Sequence, residues 1–123
     1  MGSFIVEGGR PLRGEIIPQG AKNEALQVIC ATLLTPEKVT ISNIPDISDV
    51  YKLIELISCL GVKISRESGS SMSFEAIDID LDYLQTPQFR AQRASIRGSI
   101  MIVGPLLARF GRAFIPKPGG DKI

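Results

Sequence analysis

The chain contains no histidine, the side chain that most often serves as a general base or as a metal ligand. This absence excludes a Ser-His-Asp triad and a zinc site built from cysteine and histidine. The two cysteines, Cys30 and Cys59, are too few to form a metal cluster of their own. Both fall in apolar helical stretches, so we expect two buried, reduced thiols and no metal site.

The chain also lacks a long apolar run and a strong charge imbalance. Its 123 residues are 44% hydrophobic and 22% charged, values typical of a globular domain or of part of one. No apolar run approaches the roughly 20 residues of a membrane helix, and the N-terminus lacks the pattern of a secretory signal. The net charge of +1 argues against nucleic acid as a partner. We therefore expect a cytoplasmic protein that binds neither membrane nor nucleic acid.

The balanced charge hides an asymmetry along the chain. Residues 1–89 carry seven basic and twelve acidic side chains, whereas residues 90–123 carry seven basic side chains and one acid, Asp121. A basic neighbourhood suits an anionic ligand such as a phosphate, although the same pattern is also typical of a solvated face.

The hydrophobic pattern predicts alternating strands and helices in the order β-α-β-α-β-β. The helix predicted over 21–34 is apolar on nearly every side, so we expect it to be buried all round. An amphipathic helix over 49–60 should end at Gly61. The predicted strands are 3–7, 14–18, 38–42, 62–66 and 71–76.

The pattern then begins again with an apolar helix over 94–109 and a strand over 112–116. The Leu-Leu pair at 33–34 and Pro45 recur 73 residues later, at 106–107 and Pro118. A repeat of this kind predicts units stacked around their buried helices, with the second unit incomplete at residue 123. Gly104-Pro105 predicts a kink in the second helix.

Three segments together resemble the N-terminal part of the UDP-N-acetylglucosamine 1-carboxyvinyltransferase family: 20–26 (GAKNEAL), 97–111 and 118–121 (PGGD). Enzymes of this family transfer the enolpyruvyl group of phosphoenolpyruvate to the 3-hydroxyl of UDP-N-acetylglucosamine, the first committed step of peptidoglycan synthesis. The resemblance implies an α/β fold, a two-lobed inside-out barrel of β-α-β-α-β-β units. Residues 1–18 would be strands of the lobe that the C-terminal part completes, and 19–123 a partial lobe. We expect the 123-residue chain to be inactive alone.

The resemblance also assigns substrate contacts. Lys22 and Asn23 would contact phosphoenolpyruvate, and a compact ammonium at a helix start suits a phosphate. Arg97, selected by its twelve-residue spacing from Arg109, would contribute to the nucleotide-sugar and phosphoenolpyruvate site. Arg93 matches the wording of the motif better but not its spacing. It lies one turn from Arg97, so a purely structural role and a secondary role at the site are both open.

Asp121 departs from the usual motif of the family. The loop usually reads Pro-Gly-Gly-Cys, and its cysteine donates a proton to the methylene carbon of phosphoenolpyruvate. A subset of the family has aspartate there, as this chain does. Such an aspartic acid needs a raised pKa, which Lys117 and Lys122 would oppose and the substrate phosphate would favour. The diglycine at 119–120 predicts a hinge for a loop that closes over substrate.

Asp49 allows two interpretations. It matches a family aspartate that follows a proline by four residues, which suggests a ligand or an interdomain contact. On the sequence alone it is first a candidate N-cap for the helix that begins there.

Two other functions compete with the transferase. The sister enzyme that acts on shikimate 3-phosphate shares the fold but lacks the Pro-Gly-Gly-Cys/Asp loop. A non-catalytic binding or structural module would fit a chain that holds only part of an active site. For the transferase we expect two small-molecule substrates, phosphoenolpyruvate and UDP-N-acetylglucosamine, and no cofactor.

Overall fold

The computed structural model describes residues 2–93 and 97–114, apart from the side chains of Arg93 and Arg97. Four α-helices, three strands and three 3-10 helices follow one another along this part of the chain. The α-helices are α1 (Lys22–Ala31), α2 (Ser48–Cys59), α3 (Pro87–Arg93) and α4 (Val103–Phe110). The strands are β1 (Val39–Ile41), β2 (Lys63–Arg66) and β3 (Met72–Glu75), and the 3-10 helices are Thr32–Leu34, Leu81–Gln85 and Arg97–Ile102. None of the described helices is both long and apolar enough to cross a membrane.

The three strands form one antiparallel sheet in the order β1-β3-β2. Val39, Phe74 and Ile64 lie opposite one another across the sheet, and Phe74 is completely buried. The side chains of the neighbouring cross-strand pair, Thr40 and Ser73, point to the opposite face of the sheet. There the hydroxyl groups of Thr40 and Ser73 lie 2.9 Å apart in a hydrogen bond. The sheet therefore has one apolar face, which covers the helices.

The core lies where α1 and α2 pack against each other and against the sheet. On α2, Val50, Leu53 and Ile57 recur at helical spacing and are all completely buried. Each such side chain contributes roughly 1.5–3 kcal/mol by leaving water. The amphipathic helix predicted over 49–60 is thus confirmed.

The two apolar helical segments of the predicted repeat pack side by side. The 3-10 helix Arg97–Ile102, which opens the second segment, lies along α1, which opens the first. In the same way, α4 lies along the 3-10 turn Thr32–Leu34, and these two elements end the segments. A Cβ atom on Gly98 would lie 3.2 Å from Cδ1 of Leu26, which shows how closely the two segments approach.

Arg109 connects α4 to the first unit. Its Nη1 group donates hydrogen bonds to the carbonyl oxygens of Leu33, at 3.0 Å, and Ala76, at 2.6 Å. The guanidinium carbon also lies 4.7 Å from the centre of the Phe110 ring. One side chain thereby joins the end of the first helical segment, the residue after β3, and α4.

The strands predicted over 3–7 and 14–18 are not present. Residues 2–20 contain neither helix nor strand, and large apolar side chains such as Phe4 and Leu12 are almost fully exposed. A strand needs a partner for its backbone hydrogen bonds, and within the described residues nothing pairs with this segment. Residues 112–114 of the strand predicted over 112–116 also lack regular structure, and residues 115 and 116 lie outside the described part.

The first apolar helix is not buried all round. Val28 is 41% exposed and Leu34 is 49% exposed, so one side of the segment 21–34 is uncovered. The helix predicted over 94–109 is also divided, because a 3-10 helix precedes α4. Pro105 lies in the first turn of α4, where a missing backbone N–H removes no hydrogen bond, so the expected kink becomes a helix start.

Two short helices between the hairpin and the second unit were not predicted. The signal for α3 was available in the sequence, because Thr86 precedes Pro87 at the first helical position. The Thr86 hydroxyl accepts a hydrogen bond from the backbone N–H of Phe89 at 3.2 Å, as a cap does. For the 3-10 helix Leu81–Gln85, the Asp80 carboxylate accepts from the N–H of Asp82.

The expectation of two buried thiols is correct for only one of them. Cys30 is buried, and burial raises the pKa of its thiol to about 12. Cys59 is exposed at the end of α2, where its sulfur accepts a hydrogen bond from Nε2 of Gln92 at 3.5 Å. The cause is the helical period, which places Ile57 in the core and Cys59 on the solvent side.

Gly61 ends α2 as predicted, and its backbone allows a direct test of the fold. Its φ angle is +107°, and a Cβ atom there would collide with the carbonyl oxygen of Asp78. We expect Gly61→Ala to lower the free energy of unfolding by about 3 kcal/mol or more, since backbone strain and a steric clash combine. Urea unfolding followed by circular dichroism measures this loss.

Gly69→Ala is the matched control for this change. Gly69 has a φ angle of +58° in open space, so only the left-handed backbone opposes a side chain, at about 1–2 kcal/mol. Equal losses for the two variants would contradict the packing described around Gly61.

Candidate functional site

Two of the predicted site residues meet at the starts of two helices. The ammonium of Lys22, the first residue of α1, lies 2.7 Å from Oδ2 of Asp49, in the first turn of α2. The side chains are 43% and 40% exposed, respectively, so the pair faces solvent at the edge of the core.

The chain before α1 is fixed against the loop that leads into α2. The backbone N–H of Asp46 donates a hydrogen bond to Oε1 of Gln19 at 3.1 Å. Gly20 lies so close to the backbone of Asn43 that a Cβ atom would collide with its carbonyl oxygen. Asn43 has a φ angle of +55°, a conformation that asparagine tolerates better than most residues. These contacts bring the two helix starts together.

The interpretation of Asp49 as a helix cap is wrong. The helix begins one residue earlier than predicted, at Ser48, and its N-cap is Ile47, which makes no side-chain cap. Asp49 is therefore already inside the first turn, and its carboxylate accepts a hydrogen bond from Lys22 instead.

The Asp49 carboxylate is held in its charged form. The hydrogen bond from Lys22 and the charge of that ammonium lower the pKa of Asp49, and Lys52 adds a smaller effect. The first turn of a helix also favours a negative charge, because its backbone N–H groups point toward it. A lysine ammonium has three N–H donors, and Asp49 uses one of them. Lys22 can therefore bind an anion without leaving Asp49.

Asn23 follows Lys22 in the first turn of α1 and is exposed. A shallow cavity of about 140 Å³ borders the same helix start, with Gly20, Ala21 and Glu24 in its wall. Neither Lys22 nor Asn23 lines this cavity, and the exposure of Asn23 is what leaves its amide accessible.

The other predicted site residues cannot be placed as side chains. Arg93 ends α3 and Arg97 begins the 3-10 helix that packs on α1, but their side chains are outside the described part. Asp121 lies outside the described residues, as do the diglycine 119–120, Lys117 and Lys122. Of the predicted site residues, the described structure therefore brings Lys22 and Asp49 into contact, and Asn23 follows Lys22 in α1.

Two long-range contacts, one at the site and one away from it, escaped the sequence analysis. The partnership of Lys22 with Asp49 spans 27 residues, and no local pattern signals it. Arg109 served only as a spacing marker, yet it binds two backbone carbonyls. Among residues 2–93 and 97–114, no three cysteine or acidic side chains are grouped so that they could hold a metal ion.

Comparison with known proteins now identifies the family. The family model described as EPSP synthase (3-phosphoshikimate 1-carboxyvinyltransferase) matches residues 6–123. The chain belongs to this family. The resemblance that the three sequence segments showed is confirmed at the level of the family, and this family is a family of enzymes. The described helices and sheet agree with an α/β class, while the inside-out barrel stays a prediction.

Several relatives are similar to the chain over all of its 123 residues. Proteins of Bacteroides fragilis (57% identical), Porphyromonas gingivalis (53%) and Idiomarina loihiensis (39%) are each named UDP-N-acetylglucosamine 1-carboxyvinyltransferase. The chain spans 28% of the length of each of these relatives.

The ion pair predicts how Asp49 titrates. Its folded pKa is lowered, so the pair stabilises the fold above the unfolded pKa of about 3.9, and the contribution is lost as the pH falls through the folded pKa. Carboxyl carbon NMR should show Asp49 titrating below that value, and Lys22→Met should raise its pKa.

Glu67 provides the internal control for this titration. Its pKa is also lowered, by the Ser73 hydroxyl and by Lys38, at a site that does not include Lys22. The Lys22→Met change should leave the Glu67 titration where it was. An unchanged Asp49 pKa in that variant would contradict the pairing.

Proposed function

We propose that a full-length protein containing this chain transfers the enolpyruvyl group of phosphoenolpyruvate to the 3-hydroxyl of UDP-N-acetylglucosamine and releases phosphate. The observation that carries the proposal is an exposed Lys22 ammonium at a helix start, in a chain 57% identical throughout to relatives named for this reaction. The reaction is a cytoplasmic step of peptidoglycan synthesis and needs no cofactor.

Lys22 binds the phosphate of phosphoenolpyruvate in this proposal, and Asn23 donates a hydrogen bond from its amide. The position of both at the start of α1 supports these roles, since helix N-termini favour anions. Arg97 contributes to the nucleotide-sugar and phosphoenolpyruvate site, with Arg93 in a secondary role. The basic balance of residues 90–123 agrees with an anionic ligand.

Asp121 is the proposed proton donor. Its carboxylic acid gives a proton to the methylene carbon of phosphoenolpyruvate, and the sugar 3-hydroxyl loses its proton to a base of the full-length protein as its oxygen bonds to the adjacent carbon. The intermediate then loses phosphate, and a proton of the new methyl group returns to the Asp121 carboxylate, which restores the double bond. The donor must be protonated at neutral pH, which the negative charge of bound substrate favours.

The shikimate 3-phosphate reaction is the second candidate, because the matching family model is described by that activity. The Pro-Gly-Gly-Asp segment at 118–121 and the names of the relatives favour UDP-N-acetylglucosamine. A non-catalytic module is the third candidate, since the chain spans 28% of its relatives.

Phosphate release by the full-length protein tests the proposal directly. With phosphoenolpyruvate present, UDP-N-acetylglucosamine should support turnover, and shikimate 3-phosphate should not. Turnover with shikimate 3-phosphate alone would establish the second candidate. The isolated 123-residue chain should be inactive with either acceptor, because a site between two lobes needs both.

Lys22→Ala in the same enzyme should reduce kcat/KM for phosphoenolpyruvate about 30-fold or more. When bound substrate excludes water from the Lys22–phosphate pair, loss of the lysine costs at least about 2 kcal/mol, which corresponds to that factor. Lys52→Ala is the control. It removes a charge equal to that of Lys22, and it does so on α2, the helix that carries Asp49. If kcat/KM of Lys22→Ala stays within twofold of the unmodified enzyme, Lys22 does not bind the substrate.

Fosfomycin, which alkylates the loop cysteine of the family, tests Asp121. A carboxylate is a weaker nucleophile than a thiolate toward an epoxide, so the enzyme should resist the drug. Asp121→Cys should keep activity and become sensitive, and Asp121→Asn should lose turnover while retaining UDP-N-acetylglucosamine binding. A time course of inactivation measures all three proteins.

Cys59 makes one further control necessary. Its exposure means that it could react with an electrophile, whereas burial keeps Cys30 protonated and unreactive. The time course is therefore repeated on a Cys59→Ser background. Rapid covalent inactivation of the Asp121 enzyme on that background, or full activity of Asp121→Asn, would contradict the proposed role.

A further inference from the structure

We infer that Asp49 is a positioning residue that holds the Lys22 ammonium where the phosphate of phosphoenolpyruvate binds, without itself touching the substrate. The inference rests on the proposed function and deepens it. It starts from the 2.7 Å contact between Asp49 Oδ2 and Lys22 Nζ, which replaces the cap that the sequence suggested.

The Asp49 carboxylate is attached to a fixed part of the backbone. The N–H groups of Val50 and Tyr51 both donate to the carbonyl oxygen of Ile47, at 3.0 and 3.2 Å, which closes the first turn of α2. The Val50 side chain is completely buried in the core. The position of Asp49 is therefore determined by the packing of α2.

Lys22 is the adaptable member of the pair. A lysine stem has several rotatable bonds and loses much rotamer freedom when it is ordered. Pairing with Asp49 orders the stem before substrate arrives, so less of that freedom is lost on binding. No other hydrogen bond of the ammonium occurs among the described residues, so two N–H donors remain for phosphate oxygens.

Asp49 also has an opposing effect, because its negative charge repels a phosphate. With Lys22 present, ordering of the ammonium should outweigh this repulsion, since the charges of the pair largely cancel. Without Lys22 the repulsion alone is left. The effect of removing the Asp49 charge should therefore depend on whether Lys22 is present, which neither a direct ligand nor a purely structural residue would show.

The test is a double-mutant cycle in the full-length enzyme. Asp49→Asn should raise KM for phosphoenolpyruvate about threefold to fivefold and leave kcat within twofold, as loss of a partly exposed ion pair would. In the Lys22→Ala background the same change should leave KM unchanged or lower it. Asp49→Glu, which keeps the charge, should restore part of the loss.

Asp46→Asn is the matched control. It removes the same charge three residues earlier, and the Asp46 side chain forms no ion pair with Lys22 in the described structure. It should leave KM within about 1.5-fold. An equal rise of KM for Asp49→Asn in both backgrounds would mean that Asp49 contacts the substrate. An unchanged KM with Lys22 present would mean that the pair only stabilises the fold, and either result overturns the inference.

A second readout keeps the inference independent of turnover. An unmodified full-length enzyme that is inactive with UDP-N-acetylglucosamine and phosphoenolpyruvate rejects the proposed function. In that case the probe is inorganic phosphate, titrated while the ¹³Cε signal of isotope-labelled Lys22 is followed by NMR. Asp49→Asn should raise the half-saturating phosphate concentration about threefold, and an unchanged concentration would overturn the positioning role.

Discussion

Arg109 makes the contact on which the arrangement of the two helical segments depends. The last carbonyl groups of a helix have no partner within the helix, and a buried carbonyl needs one. Arg109 donates to such a group at Leu33 and also to Ala76, just after β3. A guanidinium can serve two acceptors from one nitrogen, whereas a shorter polar side chain could not reach both. The first unit's helix and hairpin are thereby joined to α4.

The candidate site is built on the same framework at the opposite end of the first unit. The core side chains of α1 and α2 determine where these helices begin, and the contacts of Gln19 and Gly20 bring the preceding chain onto the loop before α2. Lys22 and Asp49 meet because both helices start at this place. The chemistry proposed for Lys22 thus depends on packing that contains no catalytic residue.

The elements that the sequence predicted correctly are those whose signal is local. The helix α2 combines a helical period with Gly61, whose φ angle only glycine adopts readily, and the hairpin of β2 and β3 surrounds a turn that contains Gly69. The membership of a family also followed from short motifs. The strands predicted over 3–7 and 14–18 are absent because they have no strand to pair with in the described part of the chain, where the large apolar side chains of residues 2–20 are almost fully exposed.

Long-range contacts account for the remaining differences. The partner of Asp49 is 27 residues away, so its local pattern suggested a cap, and the acceptors of Arg109 are 76 and 33 residues away. The exposure of Cys59 has a local cause instead, because the helical period that buries Ile57 places Cys59 on the solvent side of α2.

Native-state hydrogen exchange on Arg109→Lys tests the central claim most directly. Lysine keeps the charge but loses the second donor direction and the stacking on Phe110. If Arg109 joins the units, the backbone N–H groups of α4, of β3 and of the turn Thr32–Leu34 should lose protection together, and Arg112→Lys, an exposed site 3.7 Å from Asp82, should change none of them. Loss of protection confined to α4 would show that the first unit holds its structure without Arg109, and would contradict the account.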